Sequence, residues 1–158
     1  MERILVVFVT VAVMLGGIPA AAQSSACNQE MLRGVWCETC TGFTDLSKVN
    51  PNVPKGTLVP FSMLVRHVIN SEGKGTGTGF ASLAGSVNAV EVDTTLTVNS
   101  GCLGQKTYAI RTKSGGNVTG KAGVVFMPSG QEINVLIQEP GDVVSCKLKK
   151  MLQHTLID

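Results

Sequence analysis

The sequence predicts an all-β protein, a single eight-stranded antiparallel up-and-down barrel that follows a cleaved signal peptide. Three observations carry this. Apolar and polar residues trade places one by one through most of the chain, as where Val90, Val92, Leu96 and Val98 oppose Glu91, Asp93, Thr95, Thr97 and Asn99. That period of two marks a half-buried strand. The runs are parted by tight turn clusters such as Ser71-Glu-Gly-Lys, Ala84-Gly-Ser, Ser114-Gly-Gly-Asn, Pro128-Ser-Gly and Pro140-Gly-Asp, too short for parallel crossovers of a dozen or more residues. Finally, Gly is abundant, Val and Thr recur, and no convincing amphipathic helix appears after the leader. A sequential meander of this kind removes its two open edges by closing into a barrel; a two-sheet sandwich is the competing architecture.

In chain order, Met1-Glu2-Arg3 reads as a signal-peptide n-region and Ile4 to Leu15 as its apolar core. Ala20-Ala21-Ala22 supplies the small-residue cleavage site. Gly16, Gly17 and Pro19 interrupt the run before the roughly 20 residues a membrane span needs. The expected division is therefore a leader over 1–22 and a barrel domain over 23–158, secreted or periplasmic, with no membrane span after cleavage. Gln29–Arg33 fits one helical turn that plugs the barrel. The expected strands are Gly34–Gly42, Leu58–Asn70, Gly75–Leu83, Asn88–Asn99, Lys106–Lys113, Val118–Met127, Glu132–Glu139 and Val143–Met151. One connection is long: Phe43–Thr57, rich in Pro, Asn and Gly, a length at which loops usually serve as lids or binding segments.

A net charge of +2 and an aromatic content of 4% exclude an electrostatic or base-stacking nucleic-acid surface. Gly75-Thr-Gly-Thr-Gly79 superficially matches a phosphate cradle, but the glycines sit within a strand and no helix follows. They are expected to let large side chains pack over the strand.

Gly34-Val35-Trp36, opening an eight-stranded meander, resembles the lipocalin and wider calycin signature, in which the Trp packs across the barrel floor. The long first loop is similar to the lipocalin lid. Thr97-Val98-Asn99, Cys102-Leu-Gly104, Gln131-Glu132-Ile133 and Gly141-Asp-Val-Val-Ser145 resemble secreted bacterial, lipocalin-like barrel proteins of an uncharacterised family. The resemblance implies barrel and export, and supplies no catalytic residue.

Five cysteines in an exported chain imply disulfides and one thiol left over. Because successive strands of a meander alternate in direction, Cys40 and Cys146 fall at the lid end of the first and last strands, which closure makes neighbours. Cys27 and Cys102 fall at the opposite end. The expected bonds are Cys40–Cys146 and Cys27–Cys102, with Cys37 free. Trp36-Cys37-Glu38-Thr39-Cys40 also spells a thioredoxin-like string, but thiol–disulfide exchange at Cys37 and Cys40 requires a helix N-terminus that the surrounding residues do not provide. Glu91 and Asp93 read as a solvated face, and no nucleophile–His–acid set, metal site or cofactor motif is visible.

His67 sits on the apolar face of the second strand, either as a core histidine or as a polar handle inside a cavity. The expected inward set is Trp36, Phe61, Met63, Val65, His67, Val92, Leu96, Tyr108, Ile110, Val124 (or Val125 if the face flips), Phe126, Val135 and Ile137. Its medium-sized aliphatics leave room for a ligand. The leading expectation is a secreted, non-enzymatic barrel that binds a small hydrophobic molecule through Trp36, Phe61, Met63, His67, Leu96, Tyr108 and Phe126, entered beneath the Phe43–Thr57 loop. The alternatives are a solid-barrel interaction module, or a barrel isomerase or cyclase of the allene-oxide-cyclase type.

Overall fold

A computed structural model describes residues 27–113 and 115–152. The leader assigned to 1–22 lies outside the described residues. Eight strands follow one another: β1 Gly34–Asp45, β2 Leu58–Ile69, β3 Lys74–Leu83, β4 Ser86–Val98, β5 Leu103–Thr112, β6 Asn117–Phe126, β7 Glu132–Ile137 and β8 Val143–Lys150. Each pairs antiparallel with the next, and β8 returns to pair with β1, so the meander closes into a barrel. Strand β1 runs three residues past the expected end at Gly42. Phe43, Thr44 and Asp45 pair with Pro60, Val59 and Leu58, which shortens the long connection to residues 46–57.

The alternation seen in the sequence sorts the side chains. On β2, Met63, Val65, His67 and Ile69 are buried while Ser62, Leu64, Arg66 and Val68 are exposed. On β6, Ala122, Val124 and Phe126 point inward and Val125 points out, which decides between the two valines.

One end of the barrel is closed by a short 3-10 turn, Gln29–Leu32, that acts as a plug. The Gln29 side-chain amide donates to the carbonyls of Glu72 and Leu96, and its oxygen accepts from the Val98 amide at 3.2 Å. Above the plug, Trp36 is fully buried. Its Nε1–H donates to Leu32 O at 2.7 Å, and its ring meets Phe126 edge-on with centroids 6.1 Å apart. The Lys150 ammonium stands 5.3 Å from the Trp36 ring centroid and donates to Met31 O, a cation–π contact that covers the indole from the open side. Gly34 makes room for this: its φ of +146° lies where side chains are rarely found, and a Cβ there would stand 2.7 Å from the Lys150 stem. A disulfide between Cys27 and Cys102 ties the segment before the plug to the β4–β5 turn.

The opposite end carries the 46–57 connection, held by two aspartates. Asp45 accepts from the amides of Ser47 and Gly56, so the loop is cinched at its base. These backbone hydrogen bonds, Gly56 foremost, hold the Asp45 carboxyl below its ordinary range. Asp142, in the β7–β8 turn, accepts from Thr44 Oγ1 at 2.7 Å and from the Asp45 amide, and pairs with Lys48 Nζ at 2.9 Å. The base of the lid is thus latched to the turn that leads into the adjacent strand β8.

Candidate functional site

Between plug and lid the interior divides into two halves. The plug half is packed solid by Trp36, Val65, Ile69, Leu96, Phe126, Ile133 and Leu148, all buried. The lid half holds a cavity of about 360 Å³, within the range of roughly 300–1,000 Å³ typical of small-molecule sites. Its wall is mostly aliphatic, with Phe61 and Met63 of β2, Val90 and Val92 of β4, Ile110 of β5 and Val144 of β8. Thr44, Lys48 and Val49 reach it from the lid side.

What separates the halves is a charged crossbar. Glu38 on β1 and Lys106 on β5 stand four strands apart in a ring of eight, on opposite walls. The Lys106 stem spans the lumen and its ammonium donates to Glu38 Oε1. Only lysine or arginine combines this reach with a cation, and its four methylenes pack as apolar core on the way. His67 of β2 completes the group from the wall beside Glu38, with Nε2 2.7 Å from Glu38 Oε2. An ionised carboxylate can only accept, so Nε2 carries the proton and donates. Nδ1 then has no partner among the described residues and lies against the bare backbone of Gly77.

All three side chains are essentially removed from solvent, at 0% for Glu38 and His67 and 2% for Lys106. Burial by itself would raise the Glu38 carboxyl. The Lys106 charge, followed by the His67 hydrogen bond, outweighs it and holds the group at about 2. The carboxylate therefore stays ionised through the whole working range of pH, with both oxygens engaged. Two strand positions above Lys106, Tyr108 lines the cavity half-buried, and burial raises its phenol so that the hydroxyl remains protonated. Its oxygen makes no hydrogen bond to a described residue.

Of the residues expected to meet a ligand, Phe61, Met63 and Tyr108 line the cavity. Trp36, Leu96 and Phe126 lie instead in the packed half, because the inward face of each strand continues below the crossbar. His67 is also buried below the cavity wall, turned to Glu38 rather than to the opening. Glu38 and Lys106 were not among the expected residues. Their signal was parity: Glu38 stands midway between the inward Trp36 and Cys40, and Lys106 two residues before the inward Tyr108.

The second disulfide, Cys40–Cys146, joins directly opposed residues of β1 and β8 and forms part of the cavity wall. Cys40 Sγ lies 3.7 Å from Glu38 Oε1. Glu38, Cys40 and Cys146 bring potential metal-ligating atoms together, but both sulfurs are spent on each other and neither offers a thiolate. Cys37 is the free cysteine among the described residues and faces the outside of β1 between Arg66 and Lys149. Cys37 and Cys40 therefore occupy opposite faces of a strand, not the start of a helix, and cannot form a C-x-x-C redox pair without unravelling β1. Asp93 accepts from Arg111 at 2.6 Å on the outer face, with Glu91 nearby. The Arg111 hydrogen bond holds the Asp93 carboxyl down.

Two disulfides suit an oxidising setting, extracellular or periplasmic. No family model matches the chain, and no curated protein or solved structure matches it either.

Proposed function

We propose that this is an exported carrier barrel that binds one small hydrophobic molecule in the lid half of its interior. One observation carries the reading: the barrel is packed to the crossbar and no further, and above it an apolar-walled cavity of about 360 Å³ lies under a latched loop. A barrel built only as a rigid interaction module has no use for a hollow half, since unfilled apolar volume destabilises in proportion to its size. Kinship with the lipocalin-like barrels is part of this reading, supported by Gly34-x-Trp36 at the start of a closed eight-stranded meander.

The test is displacement of a neutral fluorescent probe, N-phenyl-1-naphthylamine, from the purified protein by a panel of apolar compounds. Saturable, competitive displacement with one site per chain is the expected result. Trp36 lies below the crossbar and is a poor reporter, so probe emission is the signal to follow. If the probe is never taken up and calorimetry finds no binder across the panel, the carrier reading is wrong.

A further inference from the structure

The cavity's polar groups specify more than a hydrophobic occupant, and the reasoning rests on the carrier reading above. Both oxygens of Glu38 are occupied, one by Lys106 and one by His67, so the carboxylate has little left to offer a ligand. The Lys106 ammonium has three donors and only one acceptor among the described residues, and Lys106 is one of the residues that line the cavity. Tyr108, two positions along the same strand face, adds a protonated hydroxyl to the same wall. The cavity lining therefore includes hydrogen-bond donors, and a matching ligand must bring an acceptor.

Charge decides which acceptor. Lys106 is already neutralised by Glu38, a carboxylate that remains ionised. A second carboxylate on the same ammonium would leave one uncompensated negative charge in a low-dielectric cavity, close to a like charge. A neutral oxygen acceptor takes the free N–H without disturbing the ion pair, and a hydrogen bond to a charged donor is among the stronger ones. We propose that the bound molecule is a neutral apolar carbonyl compound — a ketone, lactone, ester or amide — whose carbonyl oxygen accepts from Lys106, with Glu38 remaining the counter-ion.

A matched series tests this at pH 7: undecane, 2-undecanone, γ-undecalactone and undecanoic acid, measured by probe displacement and calorimetry. The ketone and lactone are expected to bind about tenfold or more tighter than the hydrocarbon, and tighter than the ionised acid. In Lys106→Met combined with Glu38→Gln, which removes both charges and so keeps the interior neutral, the ketone's advantage over the hydrocarbon should vanish. A ketone labelled with ¹³C at the carbonyl should show its infrared band at lower wavenumber in the native complex than in the double variant. The proposal is overturned if the acid binds tightest, if ketone and hydrocarbon bind equally, or if the double variant keeps the ketone preference. Binding of the hydrocarbon and the probe without any head-group preference would refute this inference alone. Absence of all binding, probe included, would refute the carrier reading beneath it.

Discussion

Replacing Lys106 with Met probes the crossbar directly. The substitution keeps most of the stem and removes the cation, leaving the Glu38 carboxylate buried with His67 as its one remaining partner. Two routes give the size of the effect. Removing one member of a buried pair typically costs about 3–5 kcal/mol, because the other charge stays behind uncompensated. Independently, Glu38 is held at about 2 against an ordinary 4.5; at about 1.4 kcal/mol per unit, that difference corresponds to roughly 3 kcal/mol. Because the folded value is the lower one, this stability is fully present above about pH 4.5 and is lost as the pH falls from there through about 2. Lys106 is the largest influence holding the carboxyl down, so most of it should disappear with the cation.

The assay is urea denaturation of the oxidised protein at pH 7 and pH 4, for the native chain, Lys106→Met, Glu38→Gln and the double variant. Lys106→Met is expected to lose about 3–5 kcal/mol at pH 7. The loss should shrink at pH 4, where a Glu38 freed of its cation accepts a proton and ceases to be a buried charge. The double variant should recover most of the loss, since no charge is left behind. An equal penalty at both pH values, with no recovery in the double variant, would mean that Lys106 acts through packing alone, and the electrostatic account of the crossbar would fail.

Three further outcomes follow. Disrupting Cys27–Cys102 or Cys40–Cys146 by paired Cys→Ala changes, across separations of 75 and 106 residues, should lower stability by up to roughly 4–5 kcal/mol on the loop-entropy model; thiol titration of the denatured, unreduced chain should find one free thiol, Cys37, and three or five would refute the pairing. Gly77→Ala places a Cβ 2.5 Å from His67 Nδ1 and 2.6 Å from Val65 Cγ1, so it should cost about 1–3 kcal/mol as an overpacking change, and a urea midpoint equal to the native one would show that the ring is not seated as described. Asp142→Ala removes the acceptor shared by Thr44, the Asp45 amide and Lys48; stopped-flow uptake of the neutral probe should become several-fold faster with little change in global stability, whereas an unchanged rate would mean that entry does not pass the lid.

The strands and their inward faces were legible because a buried-on-one-side strand leaves a period of two, and Phe61, Met63, Val65, His67 and Ile69 display it without interruption. Closure was legible too, from turns too short for anything but antiparallel neighbours. The division of the interior was not. It depends on side-chain size layer by layer, with Trp36, Phe126, Leu96, Ile133 and Leu148 filling one end while Ala81, Val90, Val92 and Val144 leave space at the other. Periodicity reports which face a residue takes and is silent about depth, so Trp36, Leu96 and Phe126 read as cavity wall when they are foundation. Glu38 and Lys106 were missed for a different reason. Charged residues at inward positions look like lapses in the pattern, and their partners lie 68 residues apart on opposite walls. Nothing local could pair them.

Stability alone does not account for that pair. Exchanging a buried ion pair for apolar residues of similar volume is often neutral or favourable by about 1–4 kcal/mol, and apolar side chains fill most of the rest of this interior. Apolar substitutes at 38 and 106 would extend the packed half without providing a donor on the cavity side. The crossbar does two things that they could not: it ends the core at a defined level, and it puts a donor-bearing side chain among the residues that line the cavity while cancelling its net charge. A protein whose interior served only to hold strands together would gain from losing the pair. The variant carrying both Lys106→Met and Glu38→Gln should accordingly hold its stability within about 1 kcal/mol of the native chain yet no longer tell a ketone from a hydrocarbon. If it lost stability and head-group preference together, the pair would be structural and its position under the cavity incidental.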